Sequence, residues 1–338
     1  MDSAITTATP PAAGPDDPPR APGRRAGVWL AVPLLLVPTV VVACRAADTD
    51  AVTPVTQLLA FLPWLLLPAG AALVLALFAR WRFGMAWAVA VLLVTGWFVR
   101  PYDTGLADEP AGRAVARITV LTSNVEFGNA TDGLLKTIRR ERPDLVFVQE
   151  CAHSCSTGLA GLPRADYPYR EVVEGSMAKG SAILSKYPLR PAPGIESTLA
   201  MPGSVAEIAG HQVHLQLAHP LPPVPSGVDD WRRELGRMAT WAKGVKGSPT
   251  IFAGDFNATQ DHAAFRRVLA AGGLRNGAAL GGVARAPSWP TAVRAPLGAQ
   301  IDHVLISEDF AVRDARFLEL ADTDHRSLLV RLDLHDTR

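Results

Sequence analysis

Cysteine is scarce in this 338-residue chain, with only three residues, too few to brace a small disulfide scaffold. A surplus of basic charge is missing as well. Lys and Arg number 33 against 32 Asp and Glu; six of the former and five of the latter precede Arg100, which leaves 27 of each sign in the rest. That neutrality speaks against a generic polyanion binder. Charge of either sign is absent from three early runs, 27–44, 51–79 and 83–99. A mean hydropathy of +0.16 therefore averages an apolar first third with an ordinary globular remainder, which excludes a disordered chain. No internal repeat is visible. Roughly 220 residues are left for one soluble domain, enough to bury a large core.

The first 26 residues hold many prolines and almost no large apolar side chain, the composition of a disordered tail. The three uncharged runs read as transmembrane helices, since a ~30 Å hydrocarbon core needs roughly 20 apolar residues. A cleaved signal peptide is the other reading of the first run, but no small-residue cleavage site follows Cys44. Arg20, Arg24 and Arg25 precede the first span and Arg80 with Arg82 separate the second and third. Arg45 beside Asp48 and Asp50, and Arg100 with Asp103, mark the opposite side. Retention of positive charge inside puts the N-terminus in the cytoplasm. Three crossings of the plasma membrane then leave everything after Arg100 outside. Trp29, Trp64, Trp81, Trp87 and Trp97 suit interface anchors. The expected organisation is a tail at 1–26, a membrane region at 27–99, a polar linker at 100–114 and a soluble domain at 115–338.

In the soluble part, strand-like runs cover 118–124, 145–149, 181–185, 213–218, 250–254, 301–307 and 327–332. Helical spacing appears at 131–142, around Trp231–Val245, and around Phe265–Leu269. Asn124, Glu150, His219, Asp255 and Asn257 each sit just past an apolar strand; Asp302 lies inside one, and Asp324-His325 precedes one. Any of them alone reads as a turn residue. In this order they suggest side chains presented by strand ends into one cleft.

The segments Thr122-Ser123-Asn124, Val148-Gln149-Glu150, Leu217-Ala218-His219, Ala253-Gly254-Asp255-Phe256-Asn257-Ala258, Ile301-Asp302-His303 and Thr323-Asp324-His325 resemble the endonuclease/exonuclease/phosphatase (DNase I-like) superfamily. The resemblance implies an α/β fold, a four-layered α/β sandwich preceded here by three transmembrane helices, with a metal-dependent phosphoesterase cleft. It assigns Glu150, Asn124 and Asp324 to a divalent cation, Mg²⁺ or alternatively Mn²⁺, because hard oxygen ligands suit those ions. It makes Asp255 the residue that orients or deprotonates the attacking water and Asn257 a donor to the phosphoryl charge. It gives His219 and His325 to phosphate oxygens and sets Asp302 behind the His325 ring. Asp255 and Asn257, two apart, would point the same way on an extended segment, an Asx-turn being the other reading. Glu126 reads as a solvated loop acid or a second-metal ligand, His303 as core or rim, and Trp289 as a pocket wall.

Cys151 and Cys155 directly follow Glu150. An oxidising exterior would pair them, two free thiols being the alternative, whereas a zinc site lacks a fourth ligand. The order of spans and motifs, with the extended segment 219–223, resembles membrane proteins of teicoplanin resistance. That implies hydrolysis of a polyprenyl-type, lipid-linked phosphate or pyrophosphate of the cell envelope, so the expected partner is membrane lipid, with nucleic acid less favoured and no protein partner. A surface-anchored Mg-dependent nuclease and a catalytically inactive envelope sensor are the alternatives. Arg232, Arg233, Arg237, Lys243 and Lys246, which a nuclease could use, also read as one solvated helix face.

Overall fold

The computed structural model describes residues 22–100, 110–294 and 297–337. Its N-terminal part is a helical bundle of α1 (Pro22–Ala46), α2 (Val55–Leu59), a 3₁₀ turn (Leu62–Leu65), α3 (Leu66–Phe78) and α4 (Arg82–Val99). Small residues form the seam: Ala31, Ala69, Ala72, Ala76, Gly84 and Ala88 are buried, which lets the backbones approach closely. Large apolar side chains point outward instead. Trp29, Leu67, Phe78, Phe83 and Leu93 are all more than half exposed on the outside of the bundle. Gly27 near the start of α1 faces Ala79 just past α3, while Phe98 and Val99 at the end of α4 pack with Val41 and Val42 of α1. α1 and α4 therefore run in one direction and α3 in the other.

Two helices, Arg25–Ala46 and Arg82–Val99, are long and apolar enough to cross a membrane. The expected middle span differs. The run at 51–79 is not one helix; only Leu62–Phe78 is continuous, shorter than the two full-length candidates. Pro54 and Pro63 lack the N–H that would carry a helix through from Ala51, and Pro63 is tolerated at the start of the 3₁₀ turn. The upstream residues fold off as α2 and dock on the second part of the chain. The expected tail lies outside the described residues up to 21, and its last residues already belong to α1. The linker is likewise undescribed over 101–109 and yields at Arg113 to the first strand.

Among the described residues, the second part is built on twelve strands. β1 (Arg113–Asn124), β2 (Leu145–Gln149), β3 (Tyr169–Val173) and β4 (Ser181–Ser185) are followed by β5 (Leu189–Ile195), β6 (Met201–Ile208), β7 (His211–Ala218) and β8 (Thr250–Asp255). β9 (Arg275–Asn276), β10 (Asp302–Ile306), β11 (Phe310–Glu319) and β12 (Arg326–Asp336) complete the set. One sheet runs β11-β12-β1-β2-β4-β3 and the other β5-β6-β7-β8-β10-β9. Their facing sides meet in a core that includes Val120, Phe147, Ile183, Leu215, Ile251, Val304 and Val330. On the outer face of the first sheet lie α5 (Thr131–Glu141) and α6 (His153–Ala160). α7 (Val228–Gly244) and α8 (Ala263–Gly272) cover the second, and the single-turn α9 (Gly277–Leu280) packs near β10 and β11. The result is a mixed α/β assembly of two sheets between helical layers.

Candidate active site

Both sheets have a parallel pair at their centre. β1 and β2 pair with Asn124 opposite Gln149, and β7 and β8 pair with Ala218 opposite Gly254. Their C-terminal ends release Asn124, Glu150, His219 and Asp255 at one end of the molecule. β10 is antiparallel to β8 and starts with Asp302 opposite Asp255, so it opens at that same end. β12 does likewise, with His325 immediately before it. The glycine of the Gly-Asp-Phe-Asn run has a packing reason: at φ +152, a Cβ on Gly254 would lie 2.1 Å from the Ala218 carbonyl oxygen. A bulkier residue there would spread β7 from β8 and move Asp255.

The side chains form two linked groups. In the first, the Asn124 amide donates to Glu150 Oε1 and to Asp255 Oδ2, each at 3.2 Å. His219 Nε2 stands 3.7 Å from Glu150 Oε1, and the Phe127 N–H donates to Glu150 Oε2 at 3.1 Å. In the second, His325 Nδ1 lies 2.9 Å from Asp302 Oδ2, with its Nε2 3.8 Å from Asp255 Oδ2 and 3.7 Å from Asp324 Oδ1. Asp255 joins the two. Asp302 is in turn seated by the Ser288 hydroxyl, which accepts from the backbone N–H groups of Ile301 and Asp302.

Burial pushes the Asp255 carboxyl up to about 6; Asp302 reinforces the rise, and the charges of His325 and His219 oppose it. Burial acts in the other direction on His325, but Asp302 and Asp255 outweigh it and hold the ring's pKa up at about 10. The ring is thus an imidazolium whose Nδ1–H donates to Asp302 and whose Nε2–H faces the cavity side of Asp255 and Asp324. Glu150 is partly buried, which disfavours its charge, yet His219, the Asn124 amide and the Phe127 N–H keep its pKa below the ordinary carboxylate value.

Asp255 and Asn257 are not on one extended segment. Asn257 has φ +47, and its N–H donates to Asp255 Oδ1 at 2.8 Å, an Asx-turn that fixes the carboxylate. Its side-chain amide donates to the Pro220 carbonyl at 2.9 Å, tying the segment after His219. Glu126 is no free loop acid, since its Oε2 accepts from the Asp324 N–H at 2.9 Å. Asp324 itself sits beside His325 and accepts from Trp289 Nε1 at 2.8 Å. His303 is fully buried, away from this cleft. Cys151 and Cys155 are joined as a disulfide across the first turn of α6, immediately after Glu150. Glu126, Phe127, Glu150 and Asn257 all have positive φ, a concentration of backbone cost that composition alone does not reveal.

The donor set suits a divalent cation. Asp255 and Asp302 each offer a carboxylate oxygen, the two within 4.8 Å of one another beside the protonated His325 ring, and Asp302 Oδ1 is buried without a hydrogen-bond donor. Glu150 adds a further ionised carboxylate. Hard oxygens dominate, as Mg²⁺ or Mn²⁺ prefers.

A cavity of about 610 Å³ opens onto these groups. Its described lining includes Glu126, Glu150, Asp255 and Asp324 but no Lys or Arg. Its other wall is apolar, built from Leu221, Pro222 and Val224, and from Ala60 and Phe61 of the helical bundle.

Residues 121–325 match the Endonuclease/Exonuclease/phosphatase family. The chain belongs to this family. Solved structures with the same fold include a humanised D. rerio TDP2, at 15% identity and a TM-score of 0.51, covering 64% of this chain and 99% of that one. A 3′-5′ exonuclease from Neisseria meningitidis, also at 15% identity and a TM-score of 0.51, covers 64% of this chain and 100% of its own. A truncated Caenorhabditis elegans TDP2 gives 15% identity, a TM-score of 0.50, and coverages of 64% and 97%. These likenesses establish the fold. No curated protein sequence matches the chain. The family's members are phosphoesterases typically dependent on divalent metals, which agrees with the donor set described above.

Proposed function

We propose that this family member is a membrane-anchored, extracytoplasmic phosphoesterase acting on a lipid-linked phosphate or pyrophosphate of the cell envelope, of the polyprenyl type. The observation that carries the reading is the composition of the cavity. One wall holds the phosphoesterase groups, and the other is apolar and includes Ala60 and Phe61 from the helical bundle. A phosphate joined to a hydrocarbon chain fits both walls, whereas a nucleic acid wants cations to track its backbone, and the described lining has none. The arginines of α7 do not supply that groove: Arg232 faces Asp50, Arg233 pairs with Asp230, and Arg237 lies beside Glu196.

Anchoring by three spans accords with the alternating directions of α1, α3 and α4 and with the outward apolar belt. At ~1.5 Å per residue, Leu62–Phe78 reaches roughly 25 Å, close to a thin hydrocarbon core. Arg25, Arg80 and Arg82 then share the cytoplasmic side, and the catalytic domain lies outside.

Glu150 and Asp324 would hold the cation, with Asn124 beside them; bound there, it would neutralise phosphoryl charge and favour ionisation of water. Asp255, held by the Asx-turn, orients the attacking water. The His325 Nε2–H donates to a phosphoryl oxygen, and Asp302 keeps that ring in place from behind. His219 supplies a second N–H. Asn257 positions Asp255 and the 219–220 segment, with one amide proton left for the phosphate. Trp289 orients Asp324 and forms part of the wall.

The test uses the full chain in nanodiscs with Mg²⁺, presenting a polyprenyl pyrophosphate, a phospholipid, and single- and double-stranded DNA. The polyprenyl substrate should be hydrolysed fastest; preferential cleavage of DNA would replace this reading with a surface nuclease, and no turnover of anything would favour an inactive sensor. EDTA should silence the enzyme and Mg²⁺ restore it. Glu150→Gln should raise the Mg²⁺ concentration required, measured as the half-saturating value. In the cell, loss of the gene should sensitise the organism to teicoplanin if the substrate belongs to wall synthesis.

A further inference from the structure

A second cavity, of about 470 Å³, lies away from the catalytic one, in the seam between the bundle and the catalytic domain. Its lining is of a different kind. Arg45 at the end of α1, Arg100 just past α4, and Arg266 and Arg285 of the catalytic domain converge on it, and no acidic residue is among its described lining. Trp97 and Phe98 supply an aromatic side, and Leu269 and Leu274 an apolar floor.

Among the described residues the cations outnumber the acids that face them. Asp261 serves Arg285 through a two-point contact at 2.6 and 3.0 Å, and Arg45 more distantly at 3.4 Å. Asp48 pairs with Arg266. Among the described residues, the four guanidiniums of the lining face these two carboxylates, and Asp48 is shared with Arg267. Arg100 has no acidic partner among the described residues, and its guanidinium lies 3.5 Å from the Trp97 ring centroid. Stacking of that kind holds a guanidinium in place while its N–H edge stays available. The C-terminal ends of α1 and α4 meet here, which on the anchored reading is the outer boundary of the bilayer.

We infer that this seam binds the phosphate-bearing headgroup of an anionic glycerophospholipid of the outer leaflet. The guanidiniums take the phosphate, Trp97 and Phe98 lie at the level of the glycerol backbone, and the acyl chains leave along the apolar outer faces of the bundle. Basic pockets beside transmembrane helix ends select such headgroups through charge and fork-shaped hydrogen bonding. The site is separate from the catalytic cavity and takes a lipid that is not turned over. It rests on the anchored reading of the bundle but not on the identity of the hydrolysed substrate.

Native mass spectrometry of the full chain released from nanodiscs tests the site. Discs of phosphatidylcholine alone are compared with discs that also contain phosphatidylglycerol. The chain should retain phosphatidylglycerol over phosphatidylcholine by about tenfold or more, since each arginine near the surface contributes on the order of 1 kcal/mol. The double variant Arg45→Gln, Arg100→Gln should lose most of that preference while still hydrolysing substrate, because neither residue lines the catalytic cavity. Equal retention of the two lipids, or an unchanged preference in the variant, overturns the site. If millimolar inorganic phosphate raises the thermal midpoint in phosphatidylcholine discs as much as phosphatidylglycerol does, the arginines serve a soluble anion and the lipid assignment falls. Carbonate extraction of the same chain from membranes separates the two failures. Release from the membrane sinks the anchoring and the site together, whereas lost lipid preference with anchoring intact sinks the site alone.

Discussion

Asp255 sits where burial and neighbouring charge pull in different directions. Its carboxyl is raised to about 6, while His325, with its pKa near 10, stays charged. In the mechanism proposed above, these two groups 3.8 Å apart would serve as base and charged donor. Asp255→Ala or His325→Ala should cut turnover by about 10²–10⁴-fold, the usual loss for a general base or a charge-stabilising donor. Circular dichroism should show the fold intact in both, since neither side chain packs in the apolar core. Normal turnover in a folded variant would remove that residue from the mechanism. These residues were legible in the sequence for a physical reason: each follows or begins a short apolar strand, and a buried strand fixes where its end points. The partners that hold them were less legible. Ser288 and Thr323 act through hydroxyls from irregular segments, and nothing in their spacing marks the Ser288 bond to the Asp302 N–H or the Thr323 bond to the Asn124 carbonyl.

Among the elements, α5, α7, α8 and the central strands followed from hydrophobic spacing, whereas α6, α9, β6 and the edge strands did not. β5 carries Pro191, Pro193 and Gly194, which argue against a strand, yet it lies at the edge of its sheet where missing N–H groups are tolerated. α2 was hidden for the opposite reason. Its apolar residues read as part of a membrane span, but its surroundings are polar and specific. Asp50 Oδ2 accepts from the Ala264 N–H at 2.6 Å at the start of α8, Gln57 donates to the Pro223 carbonyl at 2.6 Å, and His262 Nε2 donates to the Thr56 carbonyl at 2.8 Å. His262 accepts at Nδ1 from the Thr259 N–H, so the ring is neutral here and burial holds its pKa below the ordinary histidine value. The unfolded chain therefore binds that proton more readily than the folded one, and the contribution to stability is lost as pH falls below about 6.5 toward the depressed folded value. Thermal melts of the full chain between pH 7 and 5 should show this loss, and His262→Gln should flatten the part due to this ring. If the slope is the same in both, His262 is not the group responsible. Asp50→Ala removes the cap on α8 and leaves Arg232 without its buried counterion. Trypsin should then cut after Arg45 several-fold faster than in the parent chain, and Asp50→Asn should stay closer to it because the cap survives; equal rates would mean that α2 is held by its apolar contacts alone.

Taken whole, the molecule joins a helical bundle to a catalytic domain through more than the connecting chain. Besides the passage from α4 to β1, the segment between α1 and α2 is bound to α8 by Asp48 with Arg266 and by Asp50, and Arg285 reaches the Phe98 carbonyl at 2.8 Å. A tag at the N-terminus should report a cytoplasmic position and one at Arg338 an external one. Protease added to intact cells should remove the C-terminal domain; full protection would reverse the topology and exclude the envelope substrate. The composition of the connecting residues suggested a polar linker, and sequence composition does not register ion pairs between segments more than two hundred residues apart.

That double attachment changes what substrate concentration means for this enzyme. On the anchored reading, a cleft clamped to the bilayer would not turn toward bulk solvent, and a lipid substrate would reach it by lateral diffusion in the plane of the leaflet. Rates should then follow the mole fraction of substrate among lipids and fall when inert lipid is added at constant total substrate. Bulk molarity would be the wrong axis on which to plot them.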